Sequence, residues 1–244
     1  MRSIVSLLFS SITIVLFIGL LSPALAFAYG VEFVSPADGI YRMGKDQWVT
    51  FRLRGYTGKE LVTVYRERMT VGKDGSFTVS TEDRSFKEMN YLITVKSKTN
   101  GKVLLSERKR VFFLGQDDAG KVIGPDGGSI EINQGSAKGS SLKIAKGHLT
   151  GKEIFVIREF EPLWDLKAAD CISPRLAVSG TSDLFGTSAQ LPIKISPKDK
   201  FELVGFEYYD ETEKIIQYTD VNDGKLSFVI PKEKYDYYCV RIRK

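Results

Sequence analysis

Few of the residue types that perform catalysis or hold metals occur here in usable combinations. His148, in the turn KGHLTG, is the single histidine. That count excludes a histidine-dependent triad and a multi-histidine metal site, and the residue reads as a surface or capping group. Cys171 and Cys239, 68 positions apart, fit no zinc-ligand spacing. The glycines of GPDGGS (Gly124–Ser129) lack the lysine and helix of a phosphate-binding loop. Glu159, Glu161 and Asp165 cluster near the end of a strand-like run. Paired carboxylates can cleave glycosides, but no spacing here sets two of them across a cleft, and charges at strand ends are ordinarily solvated. The expectation is a non-catalytic protein without a cofactor.

Binding chemistry is better represented. Asp117 and Asp118 lie in the glycine-rich stretch GQDDAGKVIG. They read either as part of a solvated linker or as weak candidates for an interdomain calcium site, completed by Asp126 or the Asp220–Asp223 loop. The dense Asp/Asn alternation of dedicated calcium loops is missing, so no metal is expected. Arg52, Arg54, Arg66, Arg68, Arg108, Lys109 and Arg110 form a basic set. On neighbouring strands they would make a stripe suited to an anionic polymer or lipid head groups. Otherwise they are outward charges that keep strand edges from aggregating. Tyr208, Tyr209, Tyr218, Tyr235, Tyr237 and Tyr238 crowd the last strands. About half of them must face the core, because successive side chains on a strand point to opposite faces. Trp164, in the loop EPLWD, is either an exposed aromatic suited to sugar or protein contact or a plug at one end of a sandwich.

The 244 residues carry a formal net charge of +5. The basic excess lies in residues 29–115, and residues 116–244 are slightly acidic. A field this mild permits contact with an anionic surface without demanding it, and makes nucleic acid a poor partner. Residues 1–28 hold one arginine, a continuous apolar run, Pro23 and two small-x-small sites at Ala24–Ala26 and Ala26–Ala28. This is the pattern of a secretory signal peptide, with an uncleaved anchor as the alternative. No later segment is apolar for long enough to span a membrane as a helix. A secreted, periplasmic or cell-surface location follows, and with it a disulfide between Cys171 and Cys239. The other reading is two separate buried thiols. Closing a loop of 68 residues is worth roughly 4 kcal/mol in the chain-entropy model.

The elements that must position these residues are strands. Val49, Phe51 and Leu53 alternate with Thr50, Arg52 and Arg54, the mark of a half-buried strand. Asp74-Gly75, Asn100-Gly101 and Asp223-Gly224 are tight-turn dipeptides between alternating runs. Leu142-Lys143-Ile144, Glu153–Phe160, Leu191–Ser196, Phe201–Tyr209, Lys214–Tyr218, Lys225–Ile230 and Tyr237–Ile242 continue the pattern. No stretch shows helical periodicity. The expected fold is all-β: two β-sandwich domains in tandem after the signal peptide. Residues 1–28 are the signal, 29–115 an immunoglobulin-like sandwich, 116–124 a linker and 125–244 a second sandwich.

Two resemblances refine this. SPADG (Ser35–Gly39) and VGKDGSFTV (Val71–Val79) resemble bacterial immunoglobulin-like repeats. That resemblance implies a spacer, stalk or docking module. GGSIEI (Gly127–Ile132), SSLKIAKGHLTGKEIFVI (Ser140–Ile157), SDLFGTSAQLPIKISP (Ser182–Pro197) and KLSFVIPKEKYDYYCV (Lys225–Val240) resemble the β-sandwich domain shared by zonula occludens proteins, netrin receptors and ankyrins. Some members of that family cleave themselves at His-Phe-Ser. Lys234, Tyr235 and Asp236 stand at the corresponding positions, so autoproteolysis is not expected. The expected function is an exported interaction or structural module that docks onto an envelope or surface protein. The alternative is polysaccharide or anionic head-group binding through Arg52, Arg54, Arg66, Arg68, Arg108, Arg110 and Trp164.

Overall fold

Inward-facing apolar residues alternate with outward-facing polar ones through the first 85 or so residues after position 28, and they build two facing sheets. The computed structural model describes residues 29–81, 87–161, 170–194, 200–207 and 210–243. The signal-peptide expectation, Trp164, Asp165, Tyr208 and Tyr209 therefore lie outside the described residues. Strands β1 (Gly30–Ser35), β3 (Val49–Arg54) and β6 (Ser76–Val79) form one sheet in the order β1-β3-β6. Strands β2 (Ile40–Arg42), β4 (Glu60–Val64), β5 (Glu67–Arg68), β7 (Glu88–Ser97) and β8 (Val103–Leu114) form the other, ordered β2-β8-β7-β4-β5. Phe51, Leu53 and Phe77 meet Tyr91, Ile93, Val111 and Phe113 between them. The hairpin expected at Asn100-Gly101 joins β7 to β8, with Gly101 at a φ of 70°.

The second sandwich contains β9 (Ala119–Ile123), β10 (Gly128–Glu131), β11 (Ser141–Ile144), β12 (Glu153–Glu159), β13 (Leu176–Gly180), β14 (Ser188–Pro192), β15 (Phe201–Glu207), β16 (Thr212–Ile216), β17 (Tyr218–Asn222), β18 (Lys225–Val229) and β19 (Tyr237–Ile242). One sheet runs β10-β11-β14-β18-β17 and the other β16-β15-β19-β13-β12-β9. Leu142, Leu191, Leu226 and Phe228 from the first pack on Phe155, Ile157, Leu203 and Val240 from the second. Among the described residues no helix is long and apolar enough to cross a membrane.

Three boundaries differ from the sequence reading. Residues 119–123 are not linker: β9 pairs along β12, Ala119 with Ile157 through Ile123 with Glu153, so the second sandwich starts there. The run Lys214–Tyr218 is not one strand. Ile216 pairs with Leu203 in one sheet and Tyr218 with Phe228 in the other, so the chain changes sheets at Gln217. The strand expected at Leu191–Ser196 begins earlier, at Ser188, and ends at Pro192; residues 195 and 196 of that expectation lie outside the described residues.

The two sandwiches touch through the outer faces of β8 and β12. Val111 and Phe113 face the first core, so Phe112 and Leu114 face away from it. Phe155 and Ile157 face the second core, so Ile154 and Val156 face away. These outward residues, with Ile40, form one buried cluster between the domains. Gly120 of β9 lies against it: a Cβ there would sit 3.0 Å from Leu114 Cδ1 and 3.2 Å from Val156 Cγ2. Gly120→Val should therefore overpack the seam and cost about 1–3 kcal/mol. Chemical denaturation of the wild type should show one transition and that of the variant an earlier first transition. Superimposable curves would show that the seam is not packed as described.

Candidate functional site

Past the apolar cluster, the same faces of β8 and β12 turn polar. Arg110 lies two residues before Phe112 on β8, and Arg158 two residues after Val156 on β12. The period of two along a strand puts each arginine on the interdomain face. Arg110 bridges the sandwiches: NH1 donates to the Gly180 carbonyl at 2.8 Å, Nε donates to Asn90 Oδ1 at 3.2 Å, and the guanidinium lies 6.0 Å from the Phe112 ring centroid.

Arg158 is 4% exposed, and its nearest acid, Asp118 Oδ2, stands 4.0 Å from NH1. That is beyond hydrogen-bond distance, and among the described residues neither terminal nitrogen has a hydrogen-bond acceptor. Asp118 instead accepts from the Gly115 N–H at 2.9 Å. Burial pushes the Arg158 guanidinium below its ordinary pKa, against the opposing pull of Asp118 and Glu88. Lys87 is lowered as well, first by burial of its ammonium and then by the charge of Arg158. Its Nζ lies 5.5 Å from the Phe160 ring centroid.

These groups line a cleft of about 890 Å³ whose walls include Lys87, Arg110, Arg158, Phe160, Phe185 and Tyr235. The volume falls within the range of small-molecule sites. The Phe160 wall is held from behind. Cys171 and Cys239 are joined, as expected from export. The bridge lies on the outer face of β15 and β19, where Val204, Phe206, Tyr237 and Cys239 make a small second core with Phe160 and Cys171. Tyr237 stacks between Phe160 at 4.8 Å and Phe206 at 5.1 Å. The opposite wall is set by Tyr235, whose ring covers Gly205 so closely that a Cβ there would come within 2.6 Å.

The structure does not gather the basic residues into one stripe. Arg52 and Arg54 belong to the three-stranded sheet, where Arg52 pairs with Glu32 and Asp74, and Arg54 with Glu32. Arg68 lies on edge strand β5 and Arg66 in the turn before it, both exposed. Arg108 and Arg110 lie on β8, three strands from β5. Lys109 pairs with Glu107 at 2.5 Å. Asp117 packs against Gly135. Among the described residues no group of three or more His, Cys, Asp or Glu side chains converges as a cation site. Glu159 accepts from Ser136 Oγ, and His148 is an exposed turn residue near Gly186. Of the described residues singled out from sequence for binding, Arg110, Tyr235 and Tyr238 line the cleft. Arg158, Lys87 and Phe185 were not foreseen. The available signal was a charge continuing the outward face of an otherwise doubly apolar strand.

The chain matches no protein-family model, and no curated protein matches it in sequence. Because the disulfide backs the Phe160 wall, replacing both cysteines by serine should cost about 2–4 kcal/mol. Denaturation midpoints of the wild type and the double variant, both non-reduced, measure this. Equal midpoints would mean that the aromatic stack alone holds the wall.

Proposed function

We propose that this chain is a non-catalytic interaction module exported to the envelope or cell surface, where its second sandwich docks onto another protein. Its first sandwich acts as a rigidly attached spacer. The observation that carries the reading is the side of the second sandwich where the chain crosses between sheets. Tyr218 and Val221 of β17 pair with the buried Phe228 and Leu226, so they stand on the inward face. Both nevertheless remain exposed, as does Ile242 at the end of β19. Apolar side chains aimed inward at an edge but left uncovered form a slot. All five residues of β17 are exposed, and its outer edge pairs with no strand among the described residues.

The occupant suited to such a slot is an extended segment of a partner protein that inserts apolar side chains beside Tyr218 and Val221. The resemblance of residues 29–115 to bacterial immunoglobulin-like repeats supports the spacer role, and the signal-like residues 1–28 support export. A second reading, recognition of an anionic ligand, is favoured by Arg158 in the seam cleft.

Affinity capture from the native envelope with the full chain should recover one partner in constant ratio. The double substitution Tyr218→Ser and Val221→Asp should reduce capture at least tenfold without changing the unfolding midpoint by more than a few degrees. Recovery of the same partner by the double variant would reject this surface. Failure of the wild type to hold any partner under mild conditions would reject the docking role.

A further inference from the structure

Among the described residues that line the cleft, Arg158 is the strongly buried charge whose hydrogen-bonding capacity is left unmet. A guanidinium carries five N–H donors in a planar fork, and the two terminal nitrogens here have no acceptor although the side chain is 4% exposed. Asp118 is near enough for ionic attraction but not for a hydrogen bond, and a buried ion whose donors find no acceptor is costly, so a ligand that brings acceptors would be stabilising there. A better-packed interface would need only an apolar residue at this position, as Val156 and Ile154 show two and four residues earlier on the same face.

The chemistry of the missing partner can be read from what surrounds the arginine. Two free terminal nitrogens side by side match the two oxygens of a carboxylate. Lys87 and Arg110 add positive charge, whereas Asp118 and Glu88 act on Arg158 and Glu161 acts on Lys87. Those three acids balance the three cations, which disfavours a dianion and leaves the unmet N–H donors of Arg158, not a net charge, to hold a single carboxylate. The farther walls are ring faces and apolar surface, from Phe160, Phe185 and Tyr235, with Phe185 53% exposed. Rings of this kind stack on the apolar faces of sugars.

We infer that the interdomain cleft binds an acidic saccharide, with the carboxylate of a uronic-acid unit paired to Arg158 and its ring held between Phe160 and Phe185. Lys87 is the long flexible side chain beside Arg158; its displacement toward solvent opens the guanidinium to the ligand. Arg110 stays with Gly180 and holds the two cleft walls at their spacing. The site is separate from the β17 slot, so the two readings fail independently.

The test is titration calorimetry of the full chain with oligogalacturonate, galacturonate monomer, a neutral galactose oligomer and inorganic phosphate. Oligogalacturonate should bind, the monomer more weakly through the same site, and the neutral oligomer at least tenfold more weakly than the acidic one. Phosphate should not compete. Arg158→Met, which keeps an unbranched apolar stem and removes the charged head, should reduce acidic-oligomer binding at least tenfold. It should also raise or preserve the thermal midpoint, because an unpaired buried charge is being replaced by an apolar group. Phe185→Ala, on an exposed side chain, should weaken binding without unfolding the chain. Undiminished binding by Arg158→Met, equal binding of the neutral oligomer, competition by phosphate, or no binding of any uronate would each overturn the assignment. A large drop in midpoint for Arg158→Met would also overturn it, by showing that the arginine is already satisfied within the fold.

Discussion

The C-terminal end of β8 and the middle of β12 bury both of their faces, and the packing of the two sandwiches follows from that constraint. In an ordinary sandwich one face of each sheet meets the core and the other meets water. Here Phe112 and Leu114 on one side, and Ile154 and Val156 on the other, turn away from their own cores and find each other, with Ile40 joining from β2. Full burial of an aliphatic or aromatic side chain stabilises by about 1.5–3 kcal/mol. Five such residues at a seam between domains that are already tethered outweigh the orientational freedom that docking removes. The short connection between β8 and β9 leaves little slack: Asp118 caps it through the Gly115 N–H, and Gly120 is already inside the packed cluster.

A seam closed by apolar contact at one end leaves its other end to be filled by what the two sheets present there. Arg110 meets this requirement by donating across the gap to Gly180. Arg158 does not, and the cleft opens around it. The disulfide acts from behind this site. By tying the segment after β12 to β19, it presses Phe160 onto Tyr237, and Phe160 becomes a wall of the cleft as well as part of the small outer core. Domain packing, covalent bridge and candidate ligand site thus share one short stretch of chain, from Ile154 to Cys171.

Much of this architecture is legible in the residues. Strict alternation in Val49–Arg54 identifies a half-buried strand, and the structure buries Val49, Phe51 and Leu53 and leaves Arg54 exposed. Asn100-Gly101 and Asp223-Gly224 mark the β7–β8 and β17–β18 hairpins because positive φ is costly for most other residues, whereas Asp74-Gly75 makes a turn between β5 and β6, which lie in different sheets. The disulfide is legible as the pairing expected of two cysteines behind a signal-like segment. The seam was harder to see for a physical reason. Phe112-Phe113 and Ile154–Ile157 are continuous apolar runs, and periodicity cannot say what covers the second face of such a strand. Gly120 looked like linker because a glycine chosen for close approach resembles one chosen for flexibility. The basic residues looked like one stripe because sequence proximity does not say which sheet a strand joins. Arg158 was hidden for the same reason as the seam: its importance lies in the face it shares with Ile154 and Val156.

The claim on which the rest stands is that the two sandwiches form one rigid body across this seam. Spin labels at Thr78, on the outer sheet of the first sandwich, and Ser227, on the outer sheet of the second, report it directly through the distribution of distances between them. A single narrow distribution, unchanged by added salt because the contact is apolar, is the predicted result. A broad distribution, like that of two domains on a free tether, would contradict it.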